Sequence, residues 1–290
     1  MQIFLDDRMV DESEAMVSVY DHGFLYGDGI YETMRAYDGV VFRIDEHLER
    51  LERSASLIRL KTPGRKYIAG AVLQTLQCNH LRDAYIRVTL SRGKGPIGLD
   101  PALCRRPTLV VIAEPFHPYP GKLYEDGVFM VISSVIRNHV RAINPMIKSL
   151  NFLNNILAKA EAKDRGAYEA IMLNADGHVT EGTVCNIFFV IDDILCTPSV
   201  GAGILDGITR DIVINLAGVL GLTVREGLFS PRDIFGASEV FFTNTTAEVM
   251  PVSQIDDTVY HVGSITGRLR AVYRDEVEKY VRAKRSNDVL

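Results

Sequence analysis

The stretch NPMIKSLNFLNN, residues 144–155, carries a single lysine, Lys148, and no other charged side chain. Met146 and Ile147 precede it, and Leu150, Leu153, Leu157 and Ala160 follow at helical spacing, so the amine stands where the chain turns apolar. At a strand end facing a cleft such an amine is partly desolvated, its pKa falls, and the neutral form can attack an aldehyde to make a Schiff base. A lysine snorkelling at a helix N-terminus has the same local pattern. In HVTEGTVCNIFFV (178–190), Glu181 and Gly182 interrupt two apolar strands. A carboxylate turned inward there would hold a cationic heterocycle, and one turned outward is simply solvated.

Two more segments offer anion-binding chemistry. In GILDGITRDIVINLAG (203–218), Gly207 gives backbone freedom, and a helix beginning there presents the N–H groups of Ile208 and Thr209, with Ile212, Leu216 and Leu220 on one side. Such a helix start is a seat for phosphate, with Thr209 as cap or ligand; capping alone is the commoner use. FFTNTTAEVMPV (241–252) ends a strand in Asn244, Thr245 and Thr246, whose hydroxyls and amides could converge on an anion, although any polar loop can hold the same three residues. One ligand that has an aldehyde, a protonated ring nitrogen and a phosphate would use all of these groups. Pyridoxal 5'-phosphate is such a ligand.

These groups need a frame. IFLDDRMV near the start reads as a hairpin around Asp6 and Asp7, and VFRI as a short strand entering a helix at Asp45. That helix, DEHLERLERSASLIRL, aligns Leu48, Leu51, Ala55 and Ile58, with Glu46 to Arg50 and Glu49 to Arg53 as surface pairs four residues apart. A second helix is expected over about 66–80, then strands in AYIRVTL and PTLVVIAEPF. EPFHPYPGKLYEDG breaks all periodicity, so a domain boundary is expected near residue 120, within a linker over about 115–127: a small domain over 1–120 and a larger one over 121–290. In the second half the pattern gives strands at 128–136, around 168–191, near 222–228 and at 238–243. Helices are expected over 150–165, 209–220 and 263–284, the last with Ile265, Leu269, Val272, Val277 and Tyr280 as its apolar stripe and a frayed tail RAKRSNDVL. Both halves are mixed α and β.

The chain has 290 residues, of which 47% are apolar, enough for a substantial core. Its net charge of −5, with dispersed Lys and Arg, gives no electrostatic footprint for nucleic acid. No apolar run reaches spanning length and no leader is visible, so a cytoplasmic protein without a membrane partner is expected. Cys78, Cys104, Cys185 and Cys196 form no CxxC, and no histidine pair has ligand spacing, so no metal is expected and the thiols should be reduced and buried.

The chain resembles the fold type IV, or class IV, pyridoxal-phosphate aminotransferases over almost its whole length. The matching stretches, in the family's order, are YDHGFLYGDGIYETMRAYDG, VFRIDEHLERLERSA, AYIR, IKSLNFLNNILAKAEA, YEAIMLNADGHVTEG, GILDGITRD and TNTTAEVMPV. The resemblance implies a mixed α/β, two-domain fold similar to D-amino-acid aminotransferases, with a small N-terminal and a larger C-terminal domain. By position, Lys148 matches the lysine bound to the cofactor, Glu181 the carboxylate on the pyridine nitrogen, and Arg50 the arginine on the phosphate. Ile208, Thr209 and Thr245 join Arg50 there, while Leu205 matches a residue packed on the ring.

Within the family, the Tyr85-x-Arg87 pair resembles branched-chain aminotransferases, where such residues receive substrate carboxylates; in a strand the two share one face. Tyr26 and Tyr31 match aromatic positions of the side-chain pocket, and Thr245 and Thr246 complete the implied substrate site. The implied activity is transfer of an amino group between a branched-chain L-amino acid and 2-oxoglutarate, in a homodimer with the active site near the subunit interface. Phe152 stands where those enzymes usually have tyrosine. A D-amino-acid aminotransferase would carry an Arg-x-His motif where this chain has Ile97 and Leu99. The remaining alternative is aminodeoxychorismate lyase, which uses the same lysine to release pyruvate; YETMRA, with Thr33, and TNTTAEVMPV lean that way.

Overall fold

The computed structural model describes residues 1–287 and divides by backbone contacts into two units. The first comprises Met1–His117, Ile147–Asn151 and the end of the last helix from Lys279; the second comprises Pro118–Met146 and Phe152–Glu278. The boundary expected near residue 120 is a single cut, whereas these units interleave, and the five residues around Lys148 fall in the first.

The first unit begins with the hairpin β1 (Gln2–Leu5) and β2 (Arg8–Asp11), turning at Asp6 with φ 59°. A short helix α1 (His22–Tyr26) is capped by the Asp21 side chain on Gly23 N–H and leads to β3 (Gly29–Tyr37) and β4 (Val40–Val41). Helices α2 (Ile44–Leu57) and α3 (Arg65–Cys78) precede β5 (Ala84–Ser91) and β6 (Thr108–Pro115). The strands form one antiparallel sheet in the order β2-β1-β6-β5-β3-β4. On one face Ile30, Met34, Ala36, Ile86, Val88 and Leu90 form a core with Leu48, Leu51 and Ala55 of α2 and Ile68 and Val72 of α3. The period of two leaves Tyr31, Thr33 and Arg35 on the other face, and the register sets them opposite Thr89, Arg87 and Tyr85.

Residues 147–151 extend this sheet. Tyr31 N–H donates to Lys148 O at 2.9 Å, Leu150 N–H donates to Gly29 O at 2.9 Å, and Ile30 and Ser149 form an isolated bridge. Gly29 permits the approach, because a Cβ there would meet Leu150 Cδ1 at 2.6 Å and Leu90 O at 2.8 Å.

The second unit continues with α4 (Gly121–Asp126), β7 (Val128–Ile132), α5 (Leu153–Asp164), β8 (Glu169–Leu173), β9 (Val179–Gly182), β10 (Asn186–Ile191) and β11 (Ile194–Pro198). It then runs through α6 (Ile208–Val219), β12 (Val224–Gly227), α7 (Pro231–Phe235), β13 (Glu239–Asn244), β14 (Glu248–Ile255) and β15 (Thr258–Val259), and α8 (Ser264–Asn287) closes the described chain. Its nine-stranded mixed sheet runs β12-β11-β10-β13-β14-β7-β8-β9, with β15 on β14. One further pairing, Asn186 to Glu181, joins β10 back to β9 and closes six of the strands into a ring. Phe189, Phe242, Met250, Val252 and Ile187 fill the core.

Several expectations are corrected. Arg50 does not pair with Glu46 on a wet face: Arg50 is buried against the sheet, and Glu46 instead accepts from Arg43 at 2.9 Å. The buried face of α5 is Asn155, Ala158 and Ala162, whereas Leu153 and Leu157 of the apolar stripe are exposed. Only Cys185 and Cys196 are buried; Cys78 is exposed and Cys104 half-buried, all four without disulfides. The expected frayed tail is helical through Asn287, and its last three residues lie outside the described ones. Strands β3, β11 and β14 were not anticipated. Glu32, Thr33 and Arg35 break the apolar rhythm of β3, although Glu32 pairs with Arg50 and the Arg35 guanidinium lies over the Tyr37 and Phe116 rings.

Replacing Gly29 by alanine should displace residues 147–151 and lower stability by about 1–3 kcal/mol, read as a lower urea midpoint. An unchanged midpoint would show that this strand end tolerates a methyl group.

Candidate active site

Lys148 is half-buried on the 147–151 segment. Its carbonyl is fixed by β3, and its N–H donates to Ser54 Oγ of α2 at 3.2 Å. Its Nζ lies 4.5 Å from the centroid of the Tyr31 ring, and the Arg87 guanidinium carbon lies 4.1 Å from the same centroid. Both distances are within cation–π range. Burial raises the Tyr31 phenol well above its ordinary pKa, with the Arg87 charge a smaller opposing influence. Tyr31 is therefore a neutral ring, 5% exposed, with two cations against it. Tyr85 and Arg87 are half-buried on the same sheet face, as the alternation of β5 requires. Tyr26 is placed differently: its hydroxyl accepts Gly98 N–H at 3.1 Å, and its ring meets His22 edge-on at 5.1 Å, so it holds the loop bearing Ile97 and Leu99, both strongly exposed.

On the opposite face of β3 lies a buried ionic cluster that sequence reasoning missed. Arg50 donates Nε to Glu32 Oε1 at 2.7 Å and Nη2 to Glu32 Oε2 at 2.8 Å, and His47 Nδ1 meets Oε2 at 2.8 Å. Arg50 is 5% exposed and Glu32 fully buried. Burial alone would raise the Glu32 pKa, but the charge and hydrogen bonds of Arg50, aided by His47, hold it well below the carboxylate range. Burial lowers the His47 pKa despite its bond to Glu32, and the nearby charges of Arg50 and Lys148 act in the same direction. A neutral His47 donating from Nδ1 to the Glu32 carboxylate satisfies both groups. The arrangement explains why α2 buries a wider face than its leucines alone define.

In the second unit Glu181, 5% exposed, sits at the strand pairing that closes the ring. Its Oε1 accepts Arg137 Nε at 2.9 Å, and its Oε2 accepts Leu205 N–H at 3.0 Å and Asn186 Nδ2 at 3.2 Å. Asn186 Nδ2 also donates to Leu205 O at 2.9 Å, and Arg137 Nη1 reaches Asn155 Oδ1 at 3.4 Å. Glu181 and Leu205 are thus joined directly and through Asn186, and Arg137 braces Glu181 from its other oxygen; neither Arg137 nor Asn186 was anticipated. The one signal in the sequence is the Asn186 amide at the head of the apolar run NIFFV.

Helix α6 begins at Ile208 with Gly207 as N-cap in an extended conformation and no side-chain cap. Thr209 is therefore not the cap: it is the second helical residue and is buried. A Cβ on Gly207 would lie 2.0 Å from Asn186 Oδ1, so glycine lets the helix start close against the Glu181 cluster. Such an uncapped start leaves N–H groups for an anion. The polar turn after β13 is more committed than expected. Asn244 Oδ1 accepts Thr246 N–H at 3.1 Å, Thr246 Oγ1 at 3.2 Å and Ala247 N–H at 2.7 Å, and Tyr119 OH meets Thr246 Oγ1 at 3.1 Å. Asn244 is spent on the turn, while Thr245 stays half-buried beside it.

These residues fit pyridoxal 5'-phosphate. Glu181 is an inward carboxylate that accepts from a guanidinium and two N–H donors, α6 starts uncapped, and Lys148 is an amine fixed by its backbone on both sides. Among the described residues no group of three His, Cys, Asp or Glu could hold a metal ion, and no helix is long and apolar enough to cross a membrane.

Comparison with known proteins agrees with this chemistry. The family model "Amino-transferase class IV" matches residues 29–255. A putative branched-chain-amino-acid aminotransferase of Methanocaldococcus jannaschii is 47% identical over 279 residues, 95% of this chain and 96% of that one. The crystal structure of a branched-chain aminotransferase from Thermoproteus uzoniensis with norvaline superposes with a TM-score of 0.89 at 40% identity, covering 94% and 93% of the two chains. The branched-chain amino acid aminotransferase of Escherichia coli has the same TM-score at 33% identity, over 93% and 92% of the two chains.

The buried cluster predicts an acid-labile fold. Between the ordinary histidine pKa of about 6.5 and the lower value of His47 in the fold, the unfolded chain binds more protons, so stability falls as pH falls. Glu32 adds a second loss below the ordinary carboxylate range, again on acidification. His47→Gln should flatten the slope of the urea midpoint between pH 7 and 5 and leave the loss at lower pH; an unchanged slope would show that His47 does not set it.

Proposed function

Because the chain belongs to the class IV aminotransferases and is a pyridoxal-phosphate transaminase, we propose that it moves the amino group of a branched-chain L-amino acid to 2-oxoglutarate. The observation that carries this reading is the Tyr31 ring with the Lys148 amine and the Arg87 guanidinium both against it. A reactive amine and a cation for a substrate carboxylate are thereby fixed about one aromatic wall. The substrate class is supported by the Tyr85-x-Arg87 pair and by the named activity of the relatives at 47% and 40% identity. At the Arg-x-His positions of the D-amino-acid reading stand the apolar Ile97 and Leu99, which offer no cation to a carboxylate.

Bound pyridoxal 5'-phosphate supplies an aldehyde and a ring that accepts the negative charge developing at the substrate's Cα. Lys148 would be the covalent tether, and its Nζ, once freed, would take up and hand back the proton of the substrate's Cα. Glu181 would hold the proton on the pyridine nitrogen, its carboxylate aimed by Arg137 and the Leu205 N–H. The Leu205 side chain would pack on the ring. Ile208 and Thr209 at the start of α6, with Thr245 and Arg50, would hold the phosphate; Arg50 is aimed by its fork to Glu32. Tyr31, Tyr85, Arg87, Thr245 and Thr246 would shape the substrate site, with Tyr26 acting on it through the loop that its hydroxyl holds.

The enzyme is proposed to act as a homodimer in the cytoplasm, on amino acids and 2-oxo acids, without nucleic-acid or membrane partners. The four unpaired cysteines suit a reducing compartment. The second unit exposes Leu153, Ile156 and Leu157 of α5. Asn154 Nδ2 to Ile136 O and Asn155 Nδ2 to Thr183 O place the exposed Ile136 and Val184 alongside them, an apolar patch of the kind a second copy covers.

Lys148→Ala should abolish glutamate formation from leucine and 2-oxoglutarate and leave the cofactor held without a covalent bond. Undiminished turnover would sink the assignment, and pyruvate released from aminodeoxychorismate without an acceptor would favour the lyase. Ile156→Glu should shift the wild-type dimer toward monomer in sedimentation experiments, whereas an intact dimer would move the interface elsewhere.

A further inference from the structure

The first unit holds a second groove with different chemistry. A cavity of about 300 Å³ lies between residues 59–61, after α2, and residues 101–107, before β6. Its lining includes five cations, Arg59, Lys61, Arg92, Arg105 and Arg106, and no acidic side chain. In a chain of net charge −5 this is a local concentration and not a generally basic surface.

Both walls are rigidly built. Arg92, 6% exposed, forks onto Asp28 through Nε and Nη2, and its Nη2 and Nη1 donate to Ile58 O at 2.8 Å and Arg59 O at 3.1 Å. These bonds fix the 58–59 turn, where Arg59 has φ 53°, and use four of the five N–H groups of the guanidinium. Across the groove, Gly93 with φ 98° lets the other wall come close: a Cβ there would lie 2.0 Å from Arg106 O. Cys104 Sγ donates to Gly93 O at 3.1 Å and ties the same segment down.

Asp28 balances Arg92. Among the described residues the exposed side chains of Arg59, Lys61, Arg105 and Arg106 have no ion-pair or hydrogen-bond partner. Four like charges held around a small groove by a preorganised backbone favour a compact anion carrying more than one charge, and guanidinium forks match phosphate oxygens. The volume is at the lower end of small-molecule sites, too small for a folded partner. We propose that this groove binds a compact, multiply charged phosphate anion of the diphosphate or phosphorylated-metabolite class. None of its residues has a part in the proposed transamination, so the site stands or falls separately from that reading.

The test is calorimetric titration of the cofactor-loaded enzyme with inorganic pyrophosphate at constant ionic strength. Saturable binding is expected. It should weaken by about tenfold or more in the Arg105→Ser/Arg106→Ser double variant and in Arg59→Ser, but not in Lys122→Ser, whose lysine is exposed on α4 outside the groove. Pyrophosphate should also raise the thermal midpoint of the wild type and not that of the double variant. All four substituted side chains are exposed, so the variants should fold and retain transaminase activity. Equal binding by wild type and groove variants, or no saturable binding once ionic strength is held constant, would overturn the proposal.

Discussion

The backbone pairing of residues 147–151 with the start of β3 is the constraint on which the active-site reading depends. A lysine side chain has four rotatable bonds, and it acts on one atom only if its root is fixed. Here the root is fixed twice, by Tyr31 N–H on the Lys148 carbonyl and by Ser54 on the Lys148 N–H. The same strand carries Tyr31 toward the amine on one face and Glu32 toward Arg50 and His47 on the other. One strand thus organises the proposed tether and the proposed phosphate ligand, and Gly29 is the position whose missing side chain permits it.

The second unit uses an analogous device. Its strand ring closes at the pairing of Asn186 with Glu181, and the Asn186 amide reinforces that pairing through the Glu181 carboxylate while holding the Leu205 carbonyl. The carboxylate therefore has donors on both oxygens before any ligand arrives. A buried carboxylate without them would take up a proton and could not stabilise a cationic ring. Electrostatic preorganisation of this kind accounts for the proposed role of Glu181 better than its position in the chain does.

Much of the frame was legible in the sequence. The terminal hairpin, α2, α3, β5, β6, α6 and α8 follow from apolar periodicity, and Lys148 stood out as a lone amine before an apolar run. What periodicity hides is any polar side chain whose partner is distant in sequence. Arg50 reads as a surface residue because Glu32 is eighteen positions away on a strand whose own polar residues conceal it. Arg137 and Asn186 were passed over for the same reason, since their value lies in Glu181, forty-four and five residues away on other segments. The apolar stripe of α5 misled in the opposite sense: small Ala158 and Ala162 face the sheet because close helix packing needs small residues, while the leucines face outward.

The account is tested most directly at the tether itself. Reduction of the cofactor-loaded enzyme with borohydride, followed by peptide mass mapping, should find the pyridoxyl group on Lys148 and on no other lysine. A label on a different residue, or no label in an active preparation, would contradict it.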